Sequence, residues 1–261
     1  MNDPLRFTYP FSALLMMVIP LLLGIFLAQK YRLTWKLFLY GAAAFVLAQL
    51  AHIPLNWVLT RFFPALAPGG NALATAIVFG LTAAITEEPA RYSVLSGKLK
   101  WARGWKEALM FGAGHGGLES ILIGISLLAS FISLSALRAN PDQLAQLPAD
   151  QAALVQQQLQ AFWSASWYEA LLPAVERIFA LVIQISLAVM VMQVFLREDR
   201  RWLWAAIAWH WLVNAVSVWS LSYFQNAFIT ELIVGVFALT GLMIILYFRP
   251  APSDTQGDEP A

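Results

Sequence analysis

The sequence of 261 residues is too apolar to form a soluble protein. Hydrophobic residues make up 60% of the chain and charged residues 12%, whereas a soluble domain carries about 25% charged residues. The formal net charge of +1 indicates no basic surface for nucleic acid. The chain contains no cysteine, which excludes disulfides, thiolate nucleophiles and cysteine-ligated zinc or iron–sulfur centres. We therefore expect an all-α, polytopic membrane protein that is embedded in the lipid bilayer.

Apolar segments predict a bundle of about seven transmembrane helices. Each segment is roughly 20 residues long, the length that crosses the hydrocarbon core as a helix. In chain order they are Phe11–Leu27, Leu37–Leu59, Ala72–Leu95, Ala108–Leu134, Leu171–Leu196, Leu203–Tyr223 and Phe228–Phe248. They predict a single transmembrane domain over residues 1–248. The remaining residues, 249–261, are rich in Pro and Asp, and we expect a disordered cytoplasmic tail.

Basic residues alternate between the loops that follow these segments. Loops one, three and five contain Lys30, Arg32 and Lys36, then Lys98, Lys100, Arg103 and Lys106, and then Arg197, Arg200 and Arg201. The positive-inside rule places these loops in the cytoplasm, with the N-terminus outside and the C-terminus inside. The expected location is a cell membrane, most simply the bacterial cytoplasmic membrane.

Loop four, residues 138–167, is the longest connection and is extracytoplasmic in this orientation. Asn140-Pro141-Asp142 is typical of a helix start, and the run rich in Gln, Ala and Leu up to Ala161 has a helix-forming composition. We expect this loop to be partly helical and to serve as a lid or as a linker.

Three polar clusters lie within otherwise apolar segments: Glu87-Glu88-Pro89-Ala90-Arg91, His115 with Glu119, and His210 with Asn214. A charged group in hydrocarbon costs several kcal/mol, so such residues usually mark a site. Glu88, His115 and His210 each lie nine or ten residues from a basic residue at the end of the segment. At ~1.5 Å per residue, all three lie roughly 14 Å from the cytoplasmic side. Three helices are therefore predicted to deliver Glu, His and His to one layer.

Helical spacing predicts contacts inside each cluster. Arg91 lies one turn after Glu87 and Glu88 and can pair with either carboxylate, while His115 and Glu119 share a helix face. Two imidazoles and a carboxylate form a catalytic zinc set that leaves one position for water, and a second carboxylate can act as general base. Gly112, Gly114, Gly116 and Gly117 surround His115 and predict close approach of another helix or of a peptide backbone.

Other protease classes lack their residues. The three histidines do not form His-Glu-x-x-His, all six aspartates fall in loops or tails, and no Gly-x-Ser-x-Gly stretch occurs. A hydrolase with this sequence would therefore use glutamate and histidine.

The motifs also resemble a known group of enzymes. Glu87-Glu88-x-x-Arg91, Phe111-x-x-x-His115 and His210-x-x-x-Asn214 are similar to the three motifs of the CAAX protease and bacteriocin-processing membrane peptidases. Those enzymes usually place three residues between the glutamates and the arginine, and here there are two. The stretches Glu87–Tyr92, Gly112–Glu119 and Glu176-Arg177-Ile178-Phe179-Ala180 resemble the YhfC intramembrane metalloproteases more closely. The resemblance covers most of the membrane part.

The resemblance implies an intramembrane metal-dependent peptidase that hydrolyses a peptide bond near the cytoplasmic leaflet. Its substrate would be a membrane protein or a membrane-associated peptide. Glu87 would activate water as general base, with Glu88 as its partner, Arg91 fixing both carboxylates and Asn214 contributing to an oxyanion site. The implied cofactor is Zn²⁺, with ligands drawn from Glu88, His115, Glu119 and His210. Glu119 would alternatively hold His115 in one tautomer.

Two other functions are compatible with the same residues. Intramembrane Glu, His and Arg also build proton- or cation-coupled transporters, and a polar cluster can merely hold the helices of a scaffold or immunity protein together. We expect three further polar residues to lie outside the site. His52 is predicted to be remote from the cluster, and Glu176-Arg177 to form a structural ion pair that bridges to His52. Gln184 lies close enough in depth to reach the site.

Overall fold

The computed structural model describes residues 3–67 and 69–251, and these form eight α-helices with no β-strand among them. The helices are α1 (Leu5–Tyr31), α2 (Trp35–Phe62), α3 (Ala72–Lys98), α4 (Trp105–Ala139), α5 (Ala149–Ser164), α6 (Leu172–Leu196), α7 (Arg201–Phe224) and α8 (Ala227–Tyr247). Short 3₁₀ turns cover Pro64–Leu66, Pro141–Gln146 and Glu169–Leu171. The all-α prediction is confirmed. Residues 252–261, most of the predicted disordered tail, lie outside the described residues.

Seven of the helices coincide with the seven predicted apolar segments, and α5 lies in loop four. Five stretches are long and apolar enough to cross a membrane, namely α1, α2, α4, α6 with its preceding turn, and α8. Helices α3 and α7 are not among them. Helix α3 carries Glu87, Glu88 and Arg91, and α7 carries His210 and Asn214. The full number of spans and the orientation of the bundle stay predictions.

Helix α4 lies at the centre of the bundle, packed against α1, α2 and α6, while α3 packs against α7 and α2. Glycines allow this close approach. A Cβ atom at Gly114 would collide with the carbonyl oxygen of Phe38 in α2, and one at Gly112 would lie 2.7 Å from the Cα of Ile185 in α6. The glycines around His115 therefore accommodate neighbouring helices, which is the first of the two expectations for them.

The apolar core is concentrated at the end of the bundle that bears loops one, three and five. Its fully buried members include Leu37, Leu95, Leu99, Met110, Phe111, Leu187, Val191 and Met192. Toward the opposite end, α4 is less covered by its neighbours, and the side chains of Leu122 and Ile123 are exposed. The two ends of the bundle therefore differ in packing, and the polar clusters lie between them.

Helix α5 is fixed to the bundle through its C-terminal end. The ring of Phe162 stacks on Tyr9 of α1 with a centroid separation of 3.8 Å, and the Tyr9 hydroxyl donates to the Phe162 carbonyl at 3.0 Å. The Arg138 guanidinium lies 4.4 Å from the centre of the Trp163 ring. Loop four is therefore anchored beside α1 and the end of α4.

The glycine contacts generate a prediction with a matched control. Gly114→Ala should destabilise the protein, because an inserted methyl in a tightly packed interface costs about 1–3 kcal/mol. Gly97→Ala, in α3, should be neutral or stabilising by up to about 1 kcal/mol, because a Cβ there meets nothing within 4 Å. Thermal unfolding in detergent measures both. Equal melting temperatures for the two variants would contradict the close approach of α4 to α2.

Candidate active site

The centre of the site lies on α3, where Arg91 follows the adjacent Glu87 and Glu88 by one helical turn. Glu88 and Arg91 have 0% exposed surface and Glu87 has 6%. The Arg91 guanidinium lies between the two carboxylates, with Nε 3.2 Å from Glu88 Oε1 and Nη2 3.5 Å from Glu87 Oε2. Arg91 thus pairs with both glutamates, as their spacing predicts. Its charge offsets the mutual repulsion of two neighbouring carboxylates that are out of water.

The two histidines bring α4 and α7 to this centre. His115 Nε2 lies 3.1 Å from Glu87 Oε2. His210 Nδ1 lies 2.7 Å from Glu88 Oε1, and His210 Nε2 lies 4.0 Å from Glu87 Oε2. A proton on His210 Nδ1 would be donated to Glu88, which leaves Nε2, the nitrogen nearer Glu87, without a proton. The predicted convergence of Glu, His and His in one layer is present in the fold.

Buried polar atoms at this centre have unused bonding capacity. His115 packs edge-on against the ring of Phe45, with a centroid separation of 5.4 Å. Within the described residues, neither His115 Nδ1 nor Glu88 Oε2 has a hydrogen-bond partner. Buried polar atoms without a partner are rare and commonly mark a site that holds water, an ion or substrate.

Gln184 on α6 supports the far side of Arg91. Arg91 Nη1 donates to the Gln184 backbone carbonyl at 3.2 Å, and Nη2 donates to the Gln184 side-chain oxygen. The Gln184 amide in turn donates to Glu119 Oε2 at 2.8 Å. Gln184 is a supporting residue of the site whose role the sequence did not reveal. Its polar side chain within an otherwise apolar segment was the available signal.

Glu119 belongs to an ion-pair network on the side of this centre that faces loops two, four and six. Arg177 Nη1 donates to Glu119 Oε1 at 2.8 Å, and Arg177 Nη2 donates to Glu176. The predicted Glu176–Arg177 ion pair is confirmed. The predicted bridge to His52 is wrong, because Arg177 turns toward Glu119 on α4 instead of toward α2.

A cleft of about 350 Å³ reaches Glu87 from the surface of the bundle. Its lining comes from α2, α3, α4 and α7 and comprises Phe45, Gln49, His52, Ala83, Glu87, Glu119, Leu122, Ile123, Ser126 and Asn214. Asn214 therefore shares the cleft with Glu87, one turn beyond His210. Among the acidic and imidazole groups of the centre, Glu87 lines the cleft and Glu88, His115 and His210 do not.

His52 lines this cleft, so the prediction that it lies far from the cluster is wrong. Counting residues from the end of α2 misplaced it, because α2 has 28 residues, more than the roughly 20 that a straight crossing requires. Asn56 Nδ2 donates to His52 Nε2 at 2.8 Å, and the Thr82 hydroxyl donates to Asn56 Oδ1 at 2.8 Å. The recurrence of Gln49, His52 and Asn56 on one face of α2 was a signal that sequence reasoning missed.

The carboxylates and imidazoles of this centre are suitable metal ligands, although their side chains are not arranged around a common point. Among the described residues, no group of three or more His, Cys, Asp or Glu side chains is arranged to hold a metal. His115 Nε2 and His210 Nε2 nevertheless both lie near Glu87 Oε2, and imidazole nitrogen with carboxylate oxygen is a typical donor set for zinc. Of the other predicted ligands, Glu88 Oε1 faces His210 and Arg91, and both oxygens of Glu119 accept hydrogen bonds.

Comparison with known proteins relates the chain to one family. The model of the YhfC intramembrane metalloprotease family matches residues 15–234. A Bacillus subtilis (strain 168) protein named "Uncharacterized membrane protein YhfC" is 31% identical over 235 residues, which cover 87% of this chain and 90% of the relative. No solved structure matches the chain. With its apolar helices and this family match, the chain is a multi-pass membrane protein, and it belongs to the YhfC intramembrane metalloprotease family.

Proposed function

We propose that the protein is an intramembrane peptidase in which Glu87 activates the water that attacks a peptide bond. The observation that carries this proposal is the position of Glu87 at the floor of the cleft, with Glu88, His115 and His210 buried behind it. Within the described residues, every side-chain hydrogen bond and ion pair of Glu87 is made by Oε2. Oε1 is therefore available to accept a proton from a water molecule in the cleft.

The proposed reaction proceeds by attack of water on the substrate carbonyl carbon. Glu87 Oε1 takes one proton of the water as its oxygen bonds to that carbon, and a tetrahedral oxyanion forms. The Asn214 amide, in the same cleft, donates to the oxyanion, an interaction typically worth ~3 kcal/mol. Glu87 then returns the proton to the amide nitrogen, and the carbon–nitrogen bond breaks. A general base of this kind contributes about 10²–10⁴-fold to the rate.

The surrounding residues hold Glu87 and His210 in position. Arg91 and His115 both contact Glu87 Oε2, which fixes the carboxylate and leaves its other oxygen free. Glu88 orients the His210 ring through Nδ1. In this assignment Glu88 and Glu119 support the centre, and neither binds a metal directly.

A divalent metal, with zinc as the best chemical match, would be held by His115, His210 and Oε2 of Glu87, which leaves Oε1 as the proton acceptor. When bound, it would polarise the substrate carbonyl and make a coordinated water more acidic. Both imidazoles lie near the same carboxylate oxygen, since His115 Nε2 and His210 Nε2 are 3.1 and 4.0 Å from Glu87 Oε2.

The substrate bond would be hydrolysed in the half of the bundle nearest loops one, three and five. These are the basic loops that the positive-inside rule places in the cytoplasm. We therefore propose that the substrate is a membrane protein or membrane-associated peptide, cleaved at a level near the cytoplasmic leaflet.

Conservative substitutions of the glutamates test the proposed roles. Glu87→Gln should lower hydrolysis at least about 10²–10⁴-fold, because the general base is lost and the proposed metal site loses its carboxylate ligand. Glu88→Gln should lower it about 10–100-fold, because His210 loses its orienting partner. Cleavage of fluorescein-labelled single-span peptides co-reconstituted in liposomes measures both rates. Glu231→Gln, in α8, is the control and should retain full activity. Activity of Glu87→Gln close to that of the unmodified protein would refute the mechanism.

Metal content tests the proposed ligands independently of any substrate. The purified protein should hold about one zinc ion per chain, and His115→Ala and His210→Ala should each lose it, because two ligands do not retain the ion in place of three. His52→Ala removes the remaining histidine and should keep the metal. Elemental analysis of folded, detergent-purified protein measures this. Unchanged zinc in both His115→Ala and His210→Ala would place the metal elsewhere.

A further inference from the structure

The lining of the cleft is displaced to one side of the catalytic layer on every helix that contributes to it. On α2, Gln49 and His52 follow Phe45, which contacts His115. On α3, Ala83 precedes Glu87. On α4, Leu122 and Ser126 follow His115, and on α7, Asn214 follows His210. Because the directions of these helices alternate, all of these displacements point toward loops two, four and six. The cleft therefore opens away from the basic loops.

The opposite side of the centre is closed by apolar side chains. Phe111 lies one turn before His115 on α4, Leu95 one turn after Arg91 on α3, and Leu187 follows Gln184 on α6. These three side chains have exposures of 0%, 1% and 0%. An interior packed in this way leaves no passage for water or a peptide. Access to Glu87 is consequently through the cleft.

One wall of the cleft is a directional chain of hydrogen bonds. The Thr82 hydroxyl lies 2.8 Å from Asn56 Oδ1, and Asn56 Nδ2 donates to His52 Nε2; a neutral His52 that accepts there has its proton on Nδ1 and donates to Gln49 Oε1 at 3.3 Å. This chain leaves the Gln49 amide nitrogen on the cleft wall as a donor without a hydrogen-bond partner among the described residues. An unpaired amide at membrane depth costs several kcal/mol. Water or a substrate backbone carbonyl in the cleft would satisfy it.

We propose that this cleft is the substrate entrance. It admits an extended segment of a membrane protein from the extracytoplasmic half of the bilayer, and the Gln49 amide donates to a backbone carbonyl of that segment. An unwound segment exposes backbone N–H and C=O groups that find no hydrogen-bond partner in hydrocarbon. The polar side chains along the cleft wall would supply such partners. This inference rests on the proposed function for the identity of the occupant, while the direction of access can be tested without any turnover.

Single-cysteine labelling tests the direction of access, because the chain has no cysteine of its own. Gln49→Cys in right-side-out membrane vesicles is exposed to a permanently charged, membrane-impermeant methanethiosulfonate. The matched control is Leu50→Cys, whose side chain is 71% exposed but apolar and outside the cleft lining. Gln49→Cys should react at least about 100-fold faster, because the charged reagent is excluded from hydrocarbon. Gln157→Cys in α5 and Lys100→Cys in loop three report the two sides of the membrane.

The result that overturns the entrance is reaction of Gln49→Cys no faster than Leu50→Cys, or reaction after permeabilisation alone. Labelling of intact vesicles at Lys100→Cys instead of Gln157→Cys would overturn the extracytoplasmic direction. These outcomes differ from failure of the proposed function, which is absence of peptide cleavage and of metal in the unmodified protein.

The role of Gln49 has its own kinetic signature. Gln49→Met keeps the length of the side chain and removes the amide. The expected result is about a fivefold rise in KM, the worth of one neutral hydrogen bond, with kcat unchanged. A lower melting temperature with an unchanged KM would show that Gln49 stabilises the fold and does not bind the substrate.

Discussion

The buried ion cluster around Arg91 is the interaction on which the rest of the site depends. Two adjacent carboxylates in a medium of low polarity repel each other and lose their hydration, and a single guanidinium in contact with both offsets much of that cost. Arg91 is completely buried and contacts Glu87, Glu88 and Gln184. Removing a partner from such a cluster leaves an uncompensated charge, which costs more than the pair itself contributes. The cluster therefore ties α3 to α6 as well as organising the glutamates.

Close helix contacts keep this cluster in one arrangement. Gly114 brings α4 against α2, and Gly116 brings it against Gln184 on α6. The same stretch of α4 carries His115, so the backbone approach that places the imidazole also places the residue that supports Arg91. Small residues permit such approach in membranes, where lipid removes most of the hydrophobic driving force between helices. Packing and chemistry are consequently specified by the same few residues.

The packed apolar core and the open cleft lie on opposite sides of the Glu87 centre. On the side of the basic loops, apolar side chains without exposed surface fix the backbone of all the helices that carry the centre. On the other side, polar residues of α2 and α4 line an open cleft. A preorganised centre needs the first, because catalytic groups must be held within a fraction of an ångström. The proposed substrate would enter through the second.

The helical membrane architecture and the layer in which Glu87, His115 and His210 meet follow from patterns along the chain. Apolar length, the positions of basic loops and the spacing of Glu87, His115 and His210 depend on local chemistry, and local chemistry can be read from a linear chain. The intrahelical pairing of Arg91 with both glutamates followed from the same periodicity.

Tertiary structure decided which way each helix faces. Spacing within α3 treats Glu87 and Glu88 alike, yet one lines the cleft and the other is enclosed. Spacing within α2 predicts the depth of His52 in the membrane but does not predict which helix it faces. His52 lines the same cleft as Glu87, and the neighbouring Asn56 contacts Thr82 on α3. The pairing of Glu119 with Arg177 and Gln184 likewise joins α4 to α6. The rotation of a helix about its axis is set by such long-range contacts, so no pattern within a single helix can fix it.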